Sequence, residues 1–409
     1  MTETLFTVSL LELFLGGGGR LLEIGPFTAR MLLFAACLCA GTVVMLSHRK
    51  RGDGVFLAIG LVATYLCIHI TGLLVGATKG NDLTGAGLEL QQSLYWLVAP
   101  FMATVLHSRE MILRVATLVR FAGAVLAIAY IGVVAALALG FIDYLSLYAI
   151  LNATGEFAFR SESFFFYKGF LYLCISVIFF VALPTRWKFA WTALVVLALA
   201  MTLTRGFVLA TSFAAMLLLV AQRRWRTLGL ALTIIACVAF FLWGYLPSQD
   251  ESLATNRDDS NSQRIEDFAY IVDNLKVSSL LFGEGLGALI NERLHIENTF
   301  LWAFWRLGIV GLAFWLTPLF FTMYYFSRVR RDSPDFDLAC AFGFSTVLVY
   351  VQTMSNPYLN NPIGLSFVIV SLFSLRTLSL ATRSRSRHQT ASTKRIEPPA
   401  HRIAQTILH

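Results

Sequence analysis

Charge is what this sequence has least of. Asp, Glu, Lys and Arg make up 14% of its 409 residues, against roughly 25% in a soluble domain. Hydrophobic residues make up 57% and the mean hydropathy is +0.69. Those values exclude a soluble globular protein and give an integral membrane protein. Metal-ligating patterns are also missing. No CxxC or HExxH spacing occurs, and the six cysteines (Cys37, Cys39, Cys67, Cys174, Cys237, Cys340) all lie inside apolar runs. There they read as packing residues rather than disulfides or metal ligands. Residues 1–15 lack a basic start and a small-residue cleavage site, so no cleavable signal sequence is expected. The net charge of +8 does not point to nucleic acid, because Lys and Arg sit in short clusters between apolar runs and not along one face.

What is present is a series of apolar runs. Clear spans are expected at about 27–46, 55–77, 93–106, 121–141, 164–183, 189–203, 207–220, 228–246, 299–326, 338–354 and 363–380. Residues 1–26 hold a shorter apolar stretch broken by Gly16–Gly19 and read as an interfacial or re-entrant helix, with a short first span as the alternative. The basic clusters at 48–51, 109–120, 186–188, 223–226, 328–331 and 383–395 all fall on one side, the cytoplasm by the positive-inside rule. The opposite side collects 78–92, 144–163, the turn at Arg205, the long segment 247–297 and 356–362. The fold class is therefore all-α and polytopic, with about 11–12 transmembrane helices in two groups, 27–246 and 298–381. One large helical loop, 247–297, separates them, and a basic tail, 382–409, is expected to be disordered.

The long polar loop is where chemistry is expected. Arg205, in Leu203-Thr204-Arg205-Gly206 between two apolar runs, costs several kcal/mol in a membrane unless it faces a cavity or a partner. Its planar donor fork suits a phosphate or diphosphate; a snorkelling interfacial Arg is the plainer reading. Ser260 or Ser262 can cap a loop helix whose apolar stripe is Ile265, Phe268, Ala269, Val272 and Leu275. Arg264 then lies in its first turn against the helix dipole, held by an anion or by a salt bridge to Glu266, Asp267 or Asp259. Glu297 and His295 stand where the chain returns to apolar sequence, and either suits a general base. Asn298 and Thr299 suit capping or substrate contact. Arg160, Lys168, Lys276 and Arg293 are further cations on that side, and Tyr358 lies in an Asn- and Pro-rich loop suited to sugar recognition or to an ordinary turn. His69, alone in an apolar run, reads as a core histidine. Asp258-Asp259 reads as solvated loop charge, and Gly283, Gly285 and Gly287 as a backbone turn rather than a phosphate loop.

Several of these stretches together resemble the O-antigen ligase and polymerase superfamily of bacterial envelope glycosyltransferases. The resemblance rests on Thr204-Arg205-Gly206, on Arg264 and Leu281-Phe282-Gly283-Glu284-Gly285-Leu286-Gly287 in one large loop, and on Glu297-Asn298 followed by nine residues, Thr299 to Leu307, and Gly308-Ile309-Val310-Gly311. It is specific over about 203–311 and architectural elsewhere. The family's ligases carry His where Glu297 stands, with His295 two residues early, so the departure favours a polymerase. The resemblance implies a GT-C-like bundle in the bacterial inner membrane. It also implies an inverting, metal-independent transfer, without cofactor, of glycan from undecaprenyl diphosphate on the periplasmic side. Arg205 and Arg264 would hold the diphosphate, Glu297 or His295 would act as base, and Asn298, Arg160, Lys168, Arg293 and Tyr358 would contact substrate. A ligase acting on lipid A-core and a transporter of lipid-linked sugars are the alternatives. Partners implied are the lipid-linked donor and acceptor, membrane lipid and, as an optional partner, a chain-length regulator, with no nucleic acid.

Overall fold

A computed structural model of the chain describes all residues except 20, 22, 25–26, 48–52, 160–163, 230–250 and 397–409. The expected span at 228–246 and Arg160 therefore lie largely or wholly outside the described residues. The fold is a polytopic helical bundle of the all-α class. Its helices are α1 (Thr2–Leu15), α2 (Ala29–Ser47), α3 (Asp53–Lys79), α4 (Leu83–Ser93), α5 (Ala99–Val105), α6 (Arg109–Ala138), α7 (Tyr144–Ala153), α8 (Leu171–Ala182), α9 (Lys188–Met201), α10 (Arg205–Ala221), α11 (Glu251–Asn274), α12 (Thr299–Ser327), α13 (Phe336–Gln352) and α14 (Pro362–Ile396). Two short hairpins, β1 (Glu23–Ile24) with β2 (Phe27–Thr28) and β3 (Phe157–Phe159) with β4 (Phe165–Tyr167), lie between them. Among the described residues five helices are long and apolar enough to cross a membrane, and α7, α8, α9, α10 and α13 are shorter apolar helices.

The core lies along α8, α13 and the first half of α14, whose side chains are buried almost all round. Such helices show no amphipathic stripe because neighbours cover every face. The bundle has two chemically distinct ends. At one, the basic connections gather: Arg109 pairs with Asp335, Arg114 with Glu3, and Arg224 reaches both Asp337 and the Val181 carbonyl that also accepts from Lys188. At the other end, the 280–297 segment meets α3 and α12, and Lys168 meets Tyr358.

Three expectations change. α1 is a bundle helix, with Phe6, Leu10, Leu13 and Phe14 buried. Its start pairs with Arg114 at the basic end, and Gly18 just beyond its other end donates to buried Glu156 at 2.6 Å. α1 thus packs within the bundle. The span expected from residue 121 begins at Arg109, because Ser108 caps α6 by accepting from Met111 N–H. The span at the C-terminal end continues as helix to Ile396, through the first part of the tail expected to be disordered. Extending a formed helix costs little once a buried span has nucleated it.

Candidate functional site

The site is built where the polar loop returns to the bundle. Helix α12 is broken at Gly308, which takes φ 67° and ψ −162°. A break orphans backbone groups on both sides, and the glycine-rich turn satisfies them. Glu284 and Gly285 N–H donate to the carbonyls of Trp305 and Arg306 at 2.7 and 3.0 Å. Ile309 and Val310 N–H donate to those of Leu280 and Leu281 at 3.0 and 3.3 Å. Gly283 and Gly285 both have positive φ, and a Cβ there would meet Arg306 or Gly76 backbone at under 2.5 Å. The three glycines thus serve a close backbone approach. Lys79 and Asn81 fasten the same turn to α3, with Lys79 Nζ 2.8 Å from Glu284 Oε2. Burial pushes the Glu284 carboxyl up, but hydrogen bonds from Lys79 and Ser279 and the Lys79 charge outweigh it, so the net shift is downward.

A second anchor lies deeper. Glu89 on α4 is buried, and Arg306 on α12 is fully buried 2.9 Å from it. The Glu89 carboxylate also accepts from Trp302 Nε1–H at 2.8 Å and Gly287 N–H at 2.9 Å, while Arg306 donates to the Leu294 carbonyl at 3.0 Å. Two buried charges are tolerable only when enclosed by such bonds. Neither residue was singled out from the sequence. The signal was there, since Arg306 is a cation inside the apolar run 299–326.

On this frame α11 docks through ion pairs. Arg264 Nη2 and Nε lie 2.7 and 2.9 Å from Glu297 Oε2, and Arg293 Nη2 lies 2.7 Å from Asp267 Oδ1. Arg264, Asp267 and Ile271 fall at helical spacing on one face. Asp267 and Ile271 are buried, whereas Ile265, Phe268 and Val272 are more than half exposed. The expected apolar stripe is therefore not the docking face; the ion pairs turn it outward. Arg264 is also in the middle of α11, which starts at Glu251, and its acidic partner comes from 33 residues away rather than from Glu266, Asp267 or Asp259. Burial raises the Asp267 carboxyl, Arg293 opposes this, and the nearby Glu297 charge adds to the rise. The two pairs thus sit within electrostatic reach of one another.

Arg205 opens α10 at the same end. Leu203 just before it has φ 52°, a strained left-handed value for a leucine. The Thr204 hydroxyl turns back to the Thr202 carbonyl at 3.1 Å and does not cap the helix. The first-turn N–H groups and the exposed Arg205 side chain together form a cationic, anion-suited helix start. Among the described residues Arg205 has no hydrogen-bond or ion-pair partner. Ser355 joins the two arginine positions: a Cβ on Gly206 would lie 3.2 Å from its hydroxyl, and Arg264 Nη2 donates to its carbonyl at 3.4 Å. The start of α12 is tied here too, through Thr299 N–H to the Thr353 carbonyl at 3.3 Å.

The other candidates fall out as follows. Asn298 caps α12, its side-chain oxygen accepting from Phe300 and Leu301 N–H at 2.9 and 3.2 Å. His295 is exposed, in the loop before that helix, and forms no hydrogen bond or ion pair among the described residues. Lys168 Nζ donates to the Gly155 carbonyl at 2.8 Å. Tyr358 is buried, its ring stacked on Phe207 and its hydroxyl donating to the Lys168 carbonyl at 3.4 Å. Arg293 is engaged by Asp267. His69 is a buried core histidine against Tyr65.

Comparison with known proteins fits this assembly. Residues 190–316, from α9 to the second half of α12, match a family described as O-antigen ligase. The chain is also 28% identical over 396 residues to a protein of Shigella flexneri named O-antigen polymerase, covering 93% of this chain and 97% of that one. The matched stretch holds Arg205, Arg264, Glu297, Gly308 and Gly311. Together with the polytopic helical fold, these two similarities support the resemblance to the O-antigen ligase and polymerase superfamily.

Proposed function

We propose that this protein is a glycosyltransferase that polymerises undecaprenyl-diphosphate-linked repeat units on the periplasmic face of the bacterial inner membrane. The observation that carries the reading is that Ser355 packs beside Gly206, the residue after Arg205 at the start of α10, and accepts from Arg264, which is paired with Glu297. The name of the Shigella relative favours polymerisation over ligation, and Glu297 at the position of the ligase histidine agrees with it. The basic connections at the opposite end support a site on the outer side by the positive-inside rule.

In the proposed reaction the lipid-linked donor lies with its diphosphate against Arg205, Arg264 and the free N–H groups of α10. The acceptor hydroxyl oxygen attacks the anomeric carbon from the opposite side, which inverts it. The bond from that carbon to the diphosphate oxygen breaks, its electron pair leaves on the diphosphate, and the arginines stabilise the growing charge. Glu297 takes the hydroxyl proton. Its Oε2 is held by Arg264, while Oε1 has no hydrogen-bond partner among the described residues and is the atom we assign as base. No step requires a metal, because fixed guanidinium groups supply the charge.

Purified protein given lipid-linked repeat units, without added metal, is expected to build a ladder of lipid-linked oligomers. A single transfer that needs lipid A-core would instead make it a ligase. Movement of the lipid-linked sugar across a liposome bilayer without any transfer would make it a transporter.

A further inference from the structure

Helix α11 and the segment that follows it run down the outside of α12, and three contacts fix the level of each part. Arg264 pairs with Glu297 just above the start of α12, and the Tyr270 ring meets the Trp305 ring edge-on at 5.8 Å. Lower still, the carbonyls of Leu280 and Leu281 accept from Ile309 and Val310 N–H. The glycine-rich turn meets α3 at the same depth, with Leu286 N–H donating to the Gly72 carbonyl at 3.0 Å. From Ile309, α12 continues to Ser327 at the basic end, and from Gly72, α3 leads back to Gly54. Each stretch is roughly 27 Å long at helical rise, close to the roughly 30 Å of hydrocarbon in a bilayer. Residues 280–287 thus lie level with the hydrocarbon edge on the side away from the basic clusters.

At that level the surface is apolar. Val277 is 91% exposed, and Phe268 and Val272 on α11 and Leu281 and Phe282 below it are all exposed. The patch is continuous with the flanks of two spanning helices, since Ile309, beside Leu280, and Leu74, two residues from Gly72, are exposed as well. Two cations stand at its upper edge: Lys276, exposed, and Lys79, whose Nζ reaches Ser279 Oγ at 3.0 Å. Long cationic side chains at a membrane edge extend to the headgroups while their stems stay on apolar surface. We propose that this patch is an interaction surface for the lipid bilayer itself. Leu281 and Phe282 sit in the upper hydrocarbon of the leaflet away from the basic end, Val277 and Val272 lie among the headgroups, and Lys276 meets lipid phosphate. Its continuity with α3 and α12 selects lipid over a soluble protein, which would have to reach below the headgroups to cover Leu281 and Phe282. The seating accounts for the outward face of α11 and does not depend on the reaction proposed above.

The test uses the full chain in vesicles of phosphatidylethanolamine and phosphatidylglycerol. The photo-crosslinking residue p-benzoylphenylalanine replaces Val277, Phe282 or Glu266 one at a time; Glu266 is exposed on α11 above the patch. After irradiation, mass spectrometry is expected to find phospholipid adducts at positions 277 and 282 and none at 266. If the chain altered at Phe282 is not recovered folded, Val277, the more exposed of the two, carries the test. Adducts to peptide in place of lipid, whether of this chain, a second copy or another protein, would overturn the proposal. So would the absence of lipid adducts at 277 and 282, or equal lipid labelling at 266.

Discussion

Two Arg–Glu pairs bracket the segment 297–306, and their surroundings differ. Arg306–Glu89 is dry: both side chains are at or below 5% exposed, and Trp302 and Gly287 close the carboxylate off. Arg264–Glu297 is open, at 35% and 45% exposure, with one carboxylate oxygen outside the pair. A dry, enclosed pair can only hold the chain in place, because moving either charge strands the other. An open pair contributes little stability and can exchange partners with an incoming anion. The difference teaches that chemistry should be sought at the weaker pair, and that the stronger one sets its position.

Substitutions should separate these roles. The largest effect expected is on transfer by Glu297→Gln or Arg264→Ala, a loss of about 10²–10⁴-fold, with the unfolding midpoint nearly unchanged because the pair is solvent-screened. Glu89→Ala should do the reverse. Leaving Arg306 buried without its partner costs about 3–5 kcal/mol, readable as reduced thermal stability, and Glu89→Gln with Arg306→Met together should recover most of it. Gly308→Ala comes next, at about 1–3 kcal/mol for a strained backbone, plus the clash of its Cβ with the Leu281 carbonyl. A loss no larger than that of an ordinary helix glycine would show that the break is not fixed by Gly308.

The smallest effect sharpens the comparison from the side of the glycine-rich turn. The Glu284 carboxyl is held below its ordinary value of 4.5 in the folded protein. Its contribution to stability is therefore complete above the unfolded value and is lost as pH falls through the lower folded one. Thermal unfolding of Glu284→Gln should depend less on pH below about 4.5 than that of the native chain.

Much of this was legible in the sequence because membrane spans impose long apolar runs and one-sided basic clusters. Arg205, Arg264 and Glu297 stood out as charges against an apolar or dipolar background. The partner of Arg264 did not, because a pair separated by 33 residues leaves no local pattern. The face of α11 was misread for a related reason. Ile265, Phe268 and Val272 have the period of a buried stripe, but Arg264 and Asp267, one and four residues away, find opposite charges and win the docking face. The break at Gly308 was hidden because glycine in an apolar run looks like a tolerated residue until its neighbour, the 280–287 turn, is seen filling the gap. The neighbours of Tyr358, Phe207 and Lys168, are distant in sequence and left no local pattern.

The most direct test of the account is the rate of metal-free transfer by purified Glu297→Gln, measured beside its unfolding midpoint. The account predicts a loss of at least about a hundredfold in a protein as stable as the native one. A native rate in Glu297→Gln, or a loss matched by a fall in stability, would contradict the assignment of Glu297 as the base.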